Sequence, residues 1–210
     1  RGEFGIGEDV RMAVRALSSA GMETCVPILP LSVAARQEDS SIKGYEVTKP
    51  VFRTNLICLP YYETLRLLAA TRHDVLDRRY NIAFWQWELS KFPESMRSAL
   101  ELVDEIWASS SFTAEAVRAA TDKPVFHMPM VVSLNTPTLK WTRADFALSE
   151  DDFIFLTVLD GNSSLKRKNP MAVVRAFASA FPQDKNVSLV IKAMNVSESL
   201  PHWRSIVEWA

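Results

Sequence analysis

Apolar residues recur at helical spacing in Val10, Ala13, Val14 and Leu17, with Arg11, Arg15 and Ser18 between them. That spacing predicts an amphipathic helix. Gly21 stands where a glycine ends such a helix, and the segment RGEFGIGEDVR ahead of it reads as a loop. A short strand is expected at 24–29, a polar irregular stretch at 30–49 and an apolar strand at 55–59 closed by Pro60. Leu65, Leu68 and Ala69 give 61–72 a helical period. The pattern then predicts a strand at 80–85, a helix at about 93–103 with Pro93 near its start, and a strand at 105–108. A helix at 112–120 and a strand at 125–130 complete the block.

Strands alternating with helices imply βαβ units and a mostly parallel sheet. Cys58, Ile82 and Ile106 are expected in its core. The stretch 131–152 loses the pattern; with Pro137, Trp141 and several charges it reads as a linker holding a short helix near 143–147. A second α/β run follows: a strand at 153–159, a polar loop at 160–169, a helix at 170–181, a strand at 187–191 and a helix from Leu200. The expected organisation is a Rossmann-like α/β domain at 1–132, a linker at 133–152 and the start of a second such domain at 153–210. Two strands are too few for a stable sheet, so the second run is expected to be incomplete.

Composition narrows the function. A hydrophobic content of 48% supports a real core and argues against disorder. A net charge of −1 argues against a general nucleic-acid footprint. Cys25 and Cys58 end apolar runs and read as small buried hydrophobes in a reducing compartment. His73, His127 and His202 show no ligand spacing, and His127 reads as a strand histidine with a partner. No apolar run approaches the roughly 20 residues of a membrane span. Asn-x-Ser patterns at Asn162, Asn186 and Asn195 carry no meaning in a cytosolic chain.

Four places bear candidate chemistry. Gly5, Gly7 and Glu8 precede the first helix, where glycines admit a ligand to the backbone and free N–H groups suit an anion; a plain turn capped by Asp9 explains them equally. The stretch Asp160 to Pro170 puts Asn162, Lys166, Arg167 and Lys168 between a strand and a helix opened by Pro170. Three adjacent cations there suit a phosphate, held together with N–H groups near Asn169 and Met171; a solvated basic loop is the alternative. Trp87 and Glu88 follow a strand and suit a sugar, the ring by stacking and the carboxylate by orienting a hydroxyl or acting as a base. Trp85 reads as core, and Glu88 equally as a local pair. Ser109, Ser110 and Ser111 follow a strand without an elbow motif, so Ser110 or Ser111 is expected to cap a helix. Lys192 and Asn195 are weaker candidates for the cleft that holds the cations.

The stretches GIGEDVRMAVRALSSAG, YNIAFWQWELSKFPESM, VDEIWASSSFTAEAV, PVFHMPMVV and FLTVLDGNSSLKRKNPMAVVRAFASAF, in that order, resemble the retaining glycosyltransferases of the GT-B type. That large family includes bacterial mannosyl- and glucosyltransferases. The resemblance implies two Rossmann-like domains, the first receiving the acceptor and the second holding a nucleotide-sugar donor. It implies that the loop after the second domain's first strand grips the donor diphosphate. Lys168 matches the family's lysine there, but Asn162 stands where an arginine is common, leaving Arg167 or Lys166 to substitute. The family's Glu-x7-Glu donor motif is absent, and Trp85 and Trp87 occupy the neighbourhood of a histidine that is common after the fourth strand.

The activity this implies is transfer of a sugar, with retention and without a metal, to a glycan or lipid-linked acceptor in surface polysaccharide synthesis. Cationic side chains and helix N-termini would stabilise the departing diphosphate. The expected location is cytoplasmic, with peripheral association at the inner face of the membrane, and the fragment need not be active alone. A non-catalytic glycan-binding or scaffold domain of the same fold is the alternative. A dinucleotide-dependent oxidoreductase fits less well, because no full G-x-G-x-x-G with a later acidic residue is present.

Overall fold

A computed structural model of the chain describes residues 1–30, 35–71, 74–134, 140–197 and 200–209. His73 and Pro137 lie outside the described residues. The chain divides into two compact units, Arg1–Asn135 and Thr136–Ala210.

The first unit opens with helix α1, Gly5–Ser19. It begins earlier than the spacing of Val10 to Leu17 suggests, because its first turn carries two glycines and little apolar signal. Gly21, at φ 72°, follows its end as expected. Strands β1 (Val26–Pro27) and β2 (Glu46–Val47) form a short parallel pair. Next come β3 (Thr54–Ile57), α2 (Tyr61–Thr71) and β4 (Tyr80–Phe84). They are followed by α3 (Arg97–Leu100), β5 (Glu105–Ala108), α4 (Ser111–Arg118) and β6 (Val125–His127). The segment expected as one helix at 93–103 is a 3₁₀ turn at Glu94–Met96 leading into the single turn of α3.

Strands β3 to β6 form one parallel sheet in the order β3-β4-β5-β6. Helices flank it. On one face Ala83, Trp85 and Ile106 pack with Leu100 of α3 and Val117 of α4, and Leu65 and Leu68 of α2 join them. On the other, Val10, Ala13, Val14 and Leu17 of α1 face the side of Leu56, Ile82 and Trp107. Cys58, Ile82 and Ile106 are buried, as the alternation predicts. Asn81 is also buried; its amide donates to the Leu76 carbonyl at 3.0 Å, and its side-chain oxygen accepts from Asn55 at 2.8 Å. Fixed polar pairing of this kind pins the register of an otherwise apolar strand.

The second unit holds a 3₁₀ turn at Ala144–Phe146, β7 (Phe153–Asp160), α5 (Leu165–Lys168), α6 (Pro170–Ala180), β8 (Val187–Met194) and α7 (Pro201–Trp209). β7 and β8 pair in parallel over all eight residues. Phe155 of β7 packs against Phe177 and Phe181, which anchors α6 to one side of the ladder. Val174 and Ile206 are buried, while Leu156 and Val158 on the other side are 63% and 61% exposed. Among the described residues of the second unit, helices therefore cover one side of the ladder.

Candidate functional site

Parallel α/β sheets place ligands beyond the carboxyl ends of their strands. In the first unit five side chains gather there. Asp9, on the second turn of α1, is buried and hydrogen-bonds Gln86, two residues past β4. Ser109, one residue past β5, donates its hydroxyl to Gln86 Oε1 at 2.9 Å. The Gln86 amide also approaches the Met130 sulfur at 3.8 Å. Cys58, directly after β3, is buried nearby; burial, and then the charge of Asp9, push its thiol up to about 12. It is therefore a neutral thiol at physiological pH and a poor nucleophile, in line with its sequence reading as a buried hydrophobe. Burial, first, and the charge of Glu8 raise the carboxyl of Asp9, against the opposing hydrogen bond from Gln86. A carboxyl so placed can accept a hydrogen bond or a proton from a hydroxyl group.

Beside this cluster Arg11 is buried. Its Nε lies 2.6 Å from Glu8 Oε2 and 3.5 Å from Asp39 Oδ2, and its Nη1 donates to the Gly2 carbonyl at 3.0 Å. Two carboxylates balance the buried guanidinium, as a buried charge requires. Ser41 in turn holds Asp39 below the usual carboxylate range through its hydroxyl and its N–H.

The residues singled out from the sequence fall differently. Gly5, Gly7 and Glu8 are not a loop ahead of a helix but its first turn. The backbone at Gly5 is open, but a Cβ on Gly7 would stand 2.1 Å from the Gly2 carbonyl oxygen. Gly7 thus makes room for the chain itself rather than for a ligand. Glu8 pairs with Arg11. Asp9 does not cap the helix, whose N-cap is Phe4 with no side-chain bond. Trp87 is not a free platform: its ring packs against Tyr61 and Phe92, and its Nε1 donates to the Lys91 carbonyl at 3.1 Å. Edge and tilted packing on two aromatic neighbours takes up that ring. Glu88 is exposed and has a partner of its own. Trp85 is core as expected, with an indole N–H that finds no acceptor among the described residues. Ser110 caps α4 by accepting from the Thr113 N–H at 3.1 Å, as expected. His127 closes β6 and is exposed rather than partnered inside the sheet.

In the second unit, the loop expected at 160–169 contains a helical turn. Lys166, Arg167 and Lys168 all lie on α5, whose N-terminus Ser164 caps by accepting from the Arg167 N–H at 3.3 Å. Successive residues on a helix diverge by about 100°, so the three cations spread around the turn. They sit in the last turn of α5, where cations complement the helix dipole. The Asn169 N–H is spent on the Leu165 carbonyl at 2.8 Å, and Pro170 has none. The N–H cradle expected at 169–171 is therefore reduced. Arg167, Lys168 and Asn162 are exposed, and Asn162 and Arg167 have partners.

What the loops after β7 and β8 do share is Asp160. Its Oδ1 accepts from the Asn162 N–H and from the Asn195 side-chain amide, both at 2.9 Å. A Cβ on Gly161 would stand 2.2 Å from the Asn195 carbonyl oxygen, so the two loops touch. Lys192 instead lies within β8, opposite Val158.

Asp9, Ser109 and Asp160 stood inside the stretches singled out from the sequence, though not as ligand contacts, and Gln86 was not singled out at all. Gln86 was legible in principle: in a strand ending in Trp85, the next position points to the opposite face. Among the described residues no group of His, Cys, Asp and Glu could hold a metal ion, and no helix is long and apolar enough to cross a membrane. No known family model matches the chain, and no curated protein matches it.

Proposed function

We propose that the protein transfers a sugar from a nucleotide-sugar donor to a glycan or lipid-linked acceptor, as a GT-B-type retaining glycosyltransferase. The observation that carries this reading is the buried carboxyl of Asp9, joined to Gln86 and Ser109 at the carboxyl ends of a parallel sheet. A carboxyl with fixed amide and hydroxyl neighbours suits an acceptor hydroxyl. The order of the strand and helix segments, with the cationic turn after β7, supports the donor class. In this reading Lys168 and Arg167 contact the donor diphosphate, and the reaction runs at the inner face of a membrane.

Calorimetry with uridine and guanosine diphosphates and with a nicotinamide dinucleotide tests it, together with sugar release from radiolabelled nucleotide-sugars. Lys168→Ala should weaken diphosphate binding about tenfold, a loss of about 1.4 kcal/mol. Lys140→Ala, a charge control, should leave it unchanged. Binding of the dinucleotide alone would make the oxidoreductase reading the better one. One observation favours the non-catalytic alternative: Asn162, at the position where the resemblance calls for an arginine, carries no charge and is exposed. Glycan binding without any nucleotide affinity would decide for that alternative.

A further inference from the structure

Strand β3 pairs with β4, and β1 pairs with β2. Among the described residues no strand pairs with the other edge of β3 or β1. Between those two edges lies a cavity of about 520 Å³. Residues 24–27 line one flank and 52–59 the other. Val10, Ala13, Val14 and Leu17 of α1 close it on one face of the sheet, and Leu67 of α2 with Val75 and Leu76 on the other. A space bounded by two strand edges and by apolar groups from both faces lies in the plane of the sheet. Small ligands of open α/β sheets bind beyond the strand ends instead.

The backbone gives the slot a chemistry. The Tyr80 N–H donates to the Arg53 carbonyl, so Arg53, Asn55 and Ile57 face β4. By alternation Thr54, Leu56 and Cys58 turn their peptide groups to the slot. The Ile28 N–H donates to the Val47 carbonyl, so Cys25 and Pro27 face the slot from β1. Interior peptide groups require partners.

The start of α1 marks where an occupant would end. Asp9 sits by Gln86 and Cys58, so α1 begins at the carboxyl end of the sheet. The Gly2 carbonyl presses on Gly7, the close contact of a turn packed against its helix. Residues 2–4 match the two to six residues that join a strand to a helix.

We propose that the slot takes one extended apolar strand, parallel to β3 and leading directly into the turn at Gly2. It would join β2-β1 to β3-β4-β5-β6 as one sheet, with a right-handed crossover into β1. A strand so buried on both faces reads as a continuous run of Val, Ile and Ala.

The test adds such a strand. The full chain is prepared with an apolar hexapeptide of Val, Ile and Ala ahead of Arg1. A second form carries alternating Ala and Val, and a control carries Ser and Asp. Both apolar forms should raise the Tm by about 5 °C or more and slow amide exchange at Leu56, Cys58 and Cys25 about tenfold or more. The control should do neither. Unchanged exchange at those amides in both apolar forms would overturn the proposal. Equal protection by the same peptide added free, or by decanoate, would also overturn it, showing that the cavity takes a separate apolar ligand.

Discussion

Strand β4 buries the four residues from Asn81 to Phe84, whereas β7, of similar apolar content, buries only Leu159 of its eight. The difference lies in what covers them. β4 sits inside a four-stranded sheet with helices on both faces, and β7 belongs to a pair with α6 on one side. An apolar run states what a strand can bury, and neighbours decide what it does bury. Stability in this chain should therefore be concentrated in the first unit.

The largest expected effect tests that contrast directly. Ile106→Ala empties a position only 1% exposed, and large-to-small changes of this type cost about 2–5 kcal/mol. Val158→Ala removes a side chain that is 61% exposed and should change stability by about 0.5 kcal/mol or less. Urea unfolding, read by hydrogen exchange in each unit, measures both. A loss above about 2 kcal/mol for Val158→Ala would mean that this face of β7 is covered in solution and would break the comparison.

Each unit also has one glycine pressed against a carbonyl. Gly7→Ala and Gly161→Ala would place a Cβ 2.1 and 2.2 Å from the oxygens of Gly2 and Asn195. Overpacking of this type costs about 1–3 kcal/mol. Gly5→Ala meets nothing within 4 Å and should stabilise α1 by up to about 1 kcal/mol. Thermal unfolding of the three variants separates a crowded glycine from a merely flexible one. If Gly7→Ala behaves like Gly5→Ala, the turn at Gly2 is free to move away from α1, and the case for a strand feeding it weakens.

These contrasts show why the sequence led as far as it did. Helical spacing and the strand–helix alternation were legible because they depend on local periodicity. The burial of Cys58, Ile82 and Ile106, and the Ser110 cap, followed from it. The site was less legible because its contacts are long-range. Nothing local tells that the Trp87 ring meets Tyr61 or that Asp9 reaches Gln86. The shape of the cationic run was not legible either: a Ser164 cap and three good helix formers wind it into a turn that spreads its charges.

The smallest effect is the most informative about function. In the second unit Asp160 is held by two donors, so Asp160→Ala should cost about 1 kcal/mol. Asp9 in the first unit is raised by burial, so the folded protein holds its proton more tightly than the unfolded chain does. Its contribution to stability is most favourable below the unfolded value, falls as pH climbs through the folded value, and stays unfavourable above it. Asp9→Asn keeps the shape and an oxygen to accept from Gln86 but removes the charge. It should therefore raise the Tm at pH 7 and leave it nearly unchanged at pH 3, while Asp160→Ala lowers it. Residues kept at a cost in stability are those that function requires. A variant more stable at pH 7 with sugar transfer lost would mark Asp9 as a working group. Unchanged transfer would reduce it to a buried carboxyl with a structural partner, and a fall in Tm at pH 7 would show that the charge is better compensated than its burial implies.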